Sequence, residues 1–170
     1  GARWLTRFVE QAGGEPLSSE YLRFIVGELK PFIDQHYPTL PEPAHTLVMG
    51  SSMGGLISLY ALIEYPEIFG RAGCLSTHWP IMGEMMVTFL GNLLPKPGQN
   101  RLYFDHGTET LDEEYEPYQR LMDESVRSAG YEAGRDWLTR KFEGAEHSER
   151  AWRARIAIPL IFLLDVGNFY

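Results

Sequence analysis

Thr46-Leu47-Val48-Met49-Gly50-Ser51-Ser52-Met53-Gly54-Gly55-Leu56 is the stretch on which the fold turns. Thr46, Leu47, Val48 and Met49 are β-branched or apolar and predict a buried strand. Leu56, Ile57, Leu59, Tyr60 and Ile63 then recur at helical spacing. Between strand and helix lies Gly-x-Ser-x-Gly, centred on Ser52. A strand passing into a helix through this string describes a nucleophile elbow. Its sharp turn holds the serine in a strained conformation, and its glycines remove Cβ atoms that would collide. The hydroxyl is pushed out at the head of the helix, where the Met53 backbone N–H and the positive helix end face a developing oxyanion. The bare string also occurs in ordinary glycine-rich turns. What selects the elbow is the strand before it, the helix after it and the extra Gly55 for close packing.

Outward from this point the pattern alternates. Strands are expected over 46–50, 71–76, 101–105 and 136–142. Helices are expected over 53–65 and 117–129, a helix or lid over 81–94, and a terminal helix from Glu149. Such alternation means parallel β-α units: an α/β fold with a mostly parallel sheet of reduced strand number and helices on both faces. Upstream, Trp4, Leu5, Phe8 and Val9 give a short helical face ended by Gly13-Gly14. Ser18 or Ser19 then caps a longer helix burying Leu22, Ile25, Val26 and Leu29, which Pro31 kinks or ends. Phe32 and Ile33 carry its apolar face on to His36, and a proline-rich loop follows over 38–43. A chain of 170 residues fits one domain over 1–170.

Charge narrows the function. A net charge of −8 repels phosphate backbones and anionic lipid surfaces, so neither nucleic acid nor a membrane is an expected partner. The longest apolar run, 156–164, is too short to span a bilayer and contains Pro159. With no signal-peptide pattern before Ser18, the chain reads as soluble, the cytoplasm favoured over secretion. The single Cys74 lies in an apolar strand and reads as a small core hydrophobe. No metal-ligand spacing, phosphate loop or dinucleotide fingerprint occurs, so no metal and no cofactor is expected.

A serine hydroxyl needs a base to take its proton and a carboxylate to orient that base. Ser148 fits an N-cap with Glu149 in the first helical turn, which leaves His147 on the loop after the last strand. It is the histidine that gives the chain order Ser, Asp, His. His36 and His45 read as solvated loop residues, His106 as structural at its strand end, and His78 as a candidate pocket residue. Pro117 and Gly130 bound the next helix, so 108–116 leaves the end of a strand. Asp112 on that loop is the leading candidate acid and Glu109 its rival. Both compete with the reading of an acidic, merely solvated loop, since Glu113, Glu114 and Glu116 stand beside them.

The chain resembles the α/β-hydrolase esterases related to enterochelin esterase, feruloyl esterase and esterase D. The similar segments run in family order: Glu28-Leu29-Lys30-Pro31-Phe32-Ile33-Asp34, Gly50-Ser51-Ser52-Met53-Gly54-Gly55-Leu56, Tyr65-Pro66-Glu67-Ile68-Phe69-Gly70, Phe104-Asp105-His106-Gly107-Thr108-Glu109 and Gly144-Ala145-Glu146-His147-Ser148-Glu149-Arg150-Ala151-Trp152. The resemblance implies Ser52 as nucleophile, His147 as general base and acid, Asp112 as orienting acid and Met53 as one oxyanion donor. It also places the segment of Ser76, Thr77, His78 and Trp79 where such esterases line the acyl or alcohol pocket, with Trp79 equally readable as a core aromatic. The implied activity is hydrolysis of small or short-chain acyl esters through an acyl-enzyme. Acyl transfer to another alcohol, or a non-catalytic module retaining the elbow, are the alternatives. Family members carry early sheet strands and an oxyanion loop before the segment resembling 21–34. The expectation is therefore the C-terminal part of a catalytic domain, or a reduced hydrolase whose open sheet edge is covered by its own helices or by a homodimer partner.

Overall fold

The computed structural model describes residues 16–98 and 100–166, and the short helical face of Trp4, Leu5, Phe8 and Val9 with the Gly13-Gly14 break lies outside the described residues. The chain forms two compact units, residues 1–42 and 43–170. In the first, helix α1 (Ser18–Phe24) passes through a π-helical segment (Ile25–Leu29) into helix α2 (Lys30–His36). Pro31 therefore does not end the helix. A proline lacks the N–H and its ring crowds the carbonyl four residues back, and the wider π turn precedes it at that point. Leu17 is the N-cap and no side chain caps the helix, so the expected serine cap is not formed. His36 is the last residue of α2 rather than a loop residue, its Nδ1 bonded to the Phe32 carbonyl at 2.7 Å.

The second unit carries the sheet. Strands β1 (Leu47–Ser51), β2 (Arg71–Leu75), β3 (Arg101–His106) and β4 (Trp137–Lys141) lie in the order β1-β2-β3-β4, all parallel. The carboxyl ends of all four strands therefore meet at one edge, where open α/β sheets place their sites. Helix α3 (Met53–Glu64) follows β1, α4 (Glu84–Asn92) and the 3-10 turn Trp79–Ile81 follow β2, and α5 (Glu116–Ser128) follows β3. The single terminal helix expected from Glu149 is two, α6 (Glu149–Arg155) and α7 (Ala157–Leu164). Pro159 accounts for the break, since it can give no hydrogen bond to the Arg155 carbonyl and its ring crowds that group.

Strand alternation sorts the core into two layers. Leu102 and Phe104 of β3, with Ala72 and Cys74 of β2, face Leu56, Leu59 and Leu62 of α3, Val87 and Leu90 of α4 and Met122 and Val126 of α5. Tyr103 and Leu75 face the other way, onto Phe162 and Leu163 of α7. Each fully buried aliphatic or aromatic side chain contributes about 1.5–3 kcal/mol. Cys74 sits wholly inside this packing, and burial pushes its thiol up, away from reactivity.

Candidate active site

Ser52 occupies the junction of β1 and α3 with φ 58 and ψ −119, a left-handed conformation costly for any residue but glycine. Its backbone is pinned on both sides. The Ser52 N–H donates to the Leu75 carbonyl at 2.9 Å, and its carbonyl accepts from the amides of Gly55 at 3.0 Å and His78 at 3.2 Å. A serine at this position ordinarily caps the helix, yet the Ser52 hydroxyl makes no capping bond. The strained φ turns it away from the helix end and leaves it for other use. Gly50 makes the turn possible, because a Cβ there would lie 2.6 Å from the Gly54 carbonyl oxygen. Gly54 itself faces open space, so the two glycines of the string do different work. Met53 is the first residue of α3, and helix geometry gives its N–H no intrahelical acceptor.

The acid and base candidates meet. His147 Nδ1 lies 2.6 Å from Asp112 Oδ1, with the Asp112 side chain fully buried and that of His147 9% exposed. An ionised carboxylate only accepts, so the proton sits on Nδ1 and the Nε2 lone pair is free to act as a base. The loops bearing them are stitched together. The amides of Thr108 and Glu109 both donate to the Ala145 carbonyl at 3.0 Å, the Gly144 amide donates to Thr108 Oγ1 at 2.8 Å, and the His147 amide donates to Thr110 Oγ1 at 2.9 Å. A Cβ at Gly107 would stand 2.0 Å from the Ala145 carbonyl oxygen, so these loops close only over a glycine. Glu109, the rival acid, pairs with Glu146 through its backbone in an isolated bridge and has no bond to His147 among the described residues. Ser148 caps α6 by accepting from the Ala151 amide at 3.3 Å, which holds His147 at the helix entrance.

Around the imidazole stand Tyr115, ring centroid 5.6 Å away, and Trp152, 4.9 Å away, both edge-on. The Tyr115 hydroxyl lies 2.6 Å from His78 Nδ1. Burial, then electrostatic repulsion between its protonated form and that of His147, hold the His78 ring below the usual histidine range, while burial pushes the Tyr115 hydroxyl up. A protonated Tyr115 hydroxyl and the His78 ring therefore share this one hydrogen bond as uncharged partners. Because the His78 amide bonds the Ser52 carbonyl, one line of contacts runs from Ser52 through His78 and Tyr115 to His147.

Trp79 departs from the pocket-lining expectation. Its indole is 1% exposed, packs beside Phe104 and donates to Gln119 Oε1 at 3.2 Å, because the 3-10 turn folds it back under α5 into the core. His106 is buried, with Nδ1 2.8 Å from the Gly107 carbonyl. Sequence reasoning missed Tyr115, Arg155 and the hydroxyl of Ser76. The one signal available was the spacing of Trp152 and Arg155, which places both on one face of α6.

The family model described as "Putative esterase" matches residues 2–163. Among curated proteins, the "Uncharacterized protein YbbA" of Bacillus subtilis is 30% identical over 103 residues, covering 61% of this chain and 39% of that protein. Among solved structures, the enterobactin esterase FES from Shigella flexneri superposes with a TM-score of 0.72 at 22% identity, covering 86% of this chain and 38% of that one. A ferulic acid esterase from Anaeromyces mucronatus superposes with a TM-score of 0.60 at 18% identity, over 79% of this chain and 50% of that one. The fold is thus that of the α/β-hydrolase-like esterases, and the chain spans about two fifths of the YbbA and FES lengths.

Proposed function

This chain belongs to the putative esterase family, and from that premise we propose that it is a serine carboxylic ester hydrolase acting through an acyl-enzyme on small or short-chain acyl esters. The observation that carries the reading is the bond from His147 Nδ1 to Asp112 at 2.6 Å, formed at the same sheet edge as a strained, uncapped Ser52. Ser52 Oγ attacks the ester carbonyl while His147 Nε2 takes its proton. The Nδ1–H stays on His147 and goes on donating to Asp112, whose charge steadies the imidazolium that forms. The tetrahedral oxyanion faces the Met53 N–H and the head of α3. The proton then passes to the departing alkoxide, and water repeats the sequence on the acyl-enzyme with the roles reversed. His78, tied by its amide to Ser52, flanks the acyl or alcohol side.

The test is labelling of Ser52 by a fluorophosphonate together with turnover of a short-chain nitrophenyl ester. Ser52→Ala is expected to abolish labelling and lower turnover by at least about a thousandfold. Absence of labelling in the unaltered protein, with Ser52→Ala equal to it on the ester, would select the non-catalytic module. Transfer of the acyl group to added alcohol in preference to water would select acyl transfer. The outer side of β1 carries no strand among the described residues, which supports pairing with a second copy as a further proposal. A single monomeric boundary in sedimentation at working concentration would remove it.

A further inference from the structure

Behind the His147–Asp112 pair lies a buried polar cluster that the esterase chemistry does not itself require. Asp112 Oδ2 is held by two donors, the Gly107 amide at 2.6 Å and the Ser76 hydroxyl at 2.6 Å. Ser76 Oγ in turn meets Trp152 Nε1 at 2.9 Å and Arg155 Nη2 at 2.9 Å. The side-chain inventory decides the direction of every bond. An indole N–H and a guanidinium only donate, and a hydroxyl has one proton and two lone pairs. With both lone pairs taken by Trp152 and Arg155, the Ser76 proton has one acceptor left, the Asp112 carboxylate. The hydroxyl is a locked rotor.

The lock is itself anchored. Arg155 binds Asp105 through two bonds, Nη2 to Oδ1 at 2.8 Å and Nε to Oδ2 at 3.1 Å, and the Tyr103 hydroxyl donates to Oδ2 at 3.0 Å. Asp105 Oδ1 also accepts from the Ser76 amide at 3.2 Å. Ser76 and Asp105 are both fully buried, and Ser76 has a φ of 41, a second left-handed non-glycine residue at the carboxyl edge of the sheet. Strain of that kind persists only where surrounding contacts hold it, and here it aims the hydroxyl at Asp112. Trp152 joins the two halves, donating to Ser76 and presenting its ring to the His147 imidazole.

We propose that Ser76 is a positioning residue for the catalytic acid. Its hydroxyl, committed to Asp112 by Trp152 and Arg155, fixes the carboxylate so that Oδ1 alone is turned to His147. The inference rests on the esterase reading and adds to it the element that sets how strongly Asp112 holds the base.

Three variants test it: Ser76→Ala, Ser76→Gly, which also relieves the strained φ, and Trp152→Phe, which keeps a ring against His147 but removes the donor. In both Ser76 variants kcat on the nitrophenyl ester is expected to fall about tenfold at unchanged KM. The acidic limb of kcat/KM is expected to move up by about one pH unit, since a carboxylate short of one donor favours the charged imidazole. Trp152→Phe moves both in the same direction by less. The low-field proton resonance of His147 Nδ1–H, which needs no turnover, is expected to move in all three. Failure of Ser52 to react with the fluorophosphonate, with this resonance still responding, removes the esterase reading and leaves the lock. A reactive Ser52 with resonance and acidic limb unchanged in the folded variants overturns the proposal. If the Ser76 variants do not fold, an unchanged resonance in Trp152→Phe overturns it.

Discussion

Ser52 and Gly50 show how far single positions depend on their surroundings. The string assigns both of its glycines to relieving the turn, but a Cβ at Gly50 would strike the Gly54 carbonyl whereas one at Gly54 would meet nothing within 4 Å. Gly50→Ala is therefore expected to cost about 1–3 kcal/mol in urea unfolding and to suppress labelling of Ser52. Gly54→Ala should be neutral or stabilising by up to about 1 kcal/mol, because it replaces glycine inside a helix. His78 supplies a pH test. Its folded ring titrates below the ordinary value, by burial first and repulsion from the His147 ring second, so between the two values the unfolded chain binds the extra proton. The contribution is complete above the unfolded histidine value of about 6.5 and is lost as pH falls from there through the folded value. Unfolding midpoints at pH 7.5 and 5.0 should differ less in His78→Gln than in the unaltered protein. An equal difference would refute the assignment.

Among the elements, the loop pair after β3 and β4 matters more to the site than either strand. Thr108, Thr110 and Ala145 close it through backbone and hydroxyl bonds, and Gly107 gives it room. Gly107→Ala would place a Cβ 2.0 Å from the Ala145 carbonyl oxygen and 3.0 Å from Asp112 Oδ2. Turnover is expected to fall by more than the accompanying stability loss explains, as read by comparing labelling rate with thermal midpoint. Ser148→Ala removes the α6 cap and should cost about 1 kcal/mol. Both the cap and the preceding loop were legible as sequence, since Ser148 before Glu149 and the Pro117 to Gly130 frame are local signals. The π-helical segment just before Pro31 and the division of the last helix were not, because each depends on how a turn widens or breaks next to a proline already in place.

At the scale of the whole molecule, the Arg155–Asp105 ion pair links α6 to the end of β3, fifty positions earlier in the chain. Both partners are almost wholly buried. Arg155→Leu would strand the Asp105 carboxylate and is expected to cost about 3–5 kcal/mol in equilibrium unfolding, a buried charge left without its partner. A loss under about 1 kcal/mol, typical of an exposed pair, would contradict the burial. By itself the sequence determined the elbow, the parallel α/β order, the candidacy of His147, and Asp112 ahead of Glu109. Strand periodicity, glycine spacing and helix caps act within a few residues and so can be read in a line. Only the tertiary structure decided that Asp112 rather than Glu109 meets His147, that Trp79 lies in the core, and that Ser76, Trp152 and Arg155 stand behind the acid. Those outcomes follow from the parallel register, which brings the ends of β2 and β3 together and lays α6 against them, joining residues up to 79 positions apart. Contacts at such separation leave no periodic trace in the chain that makes them.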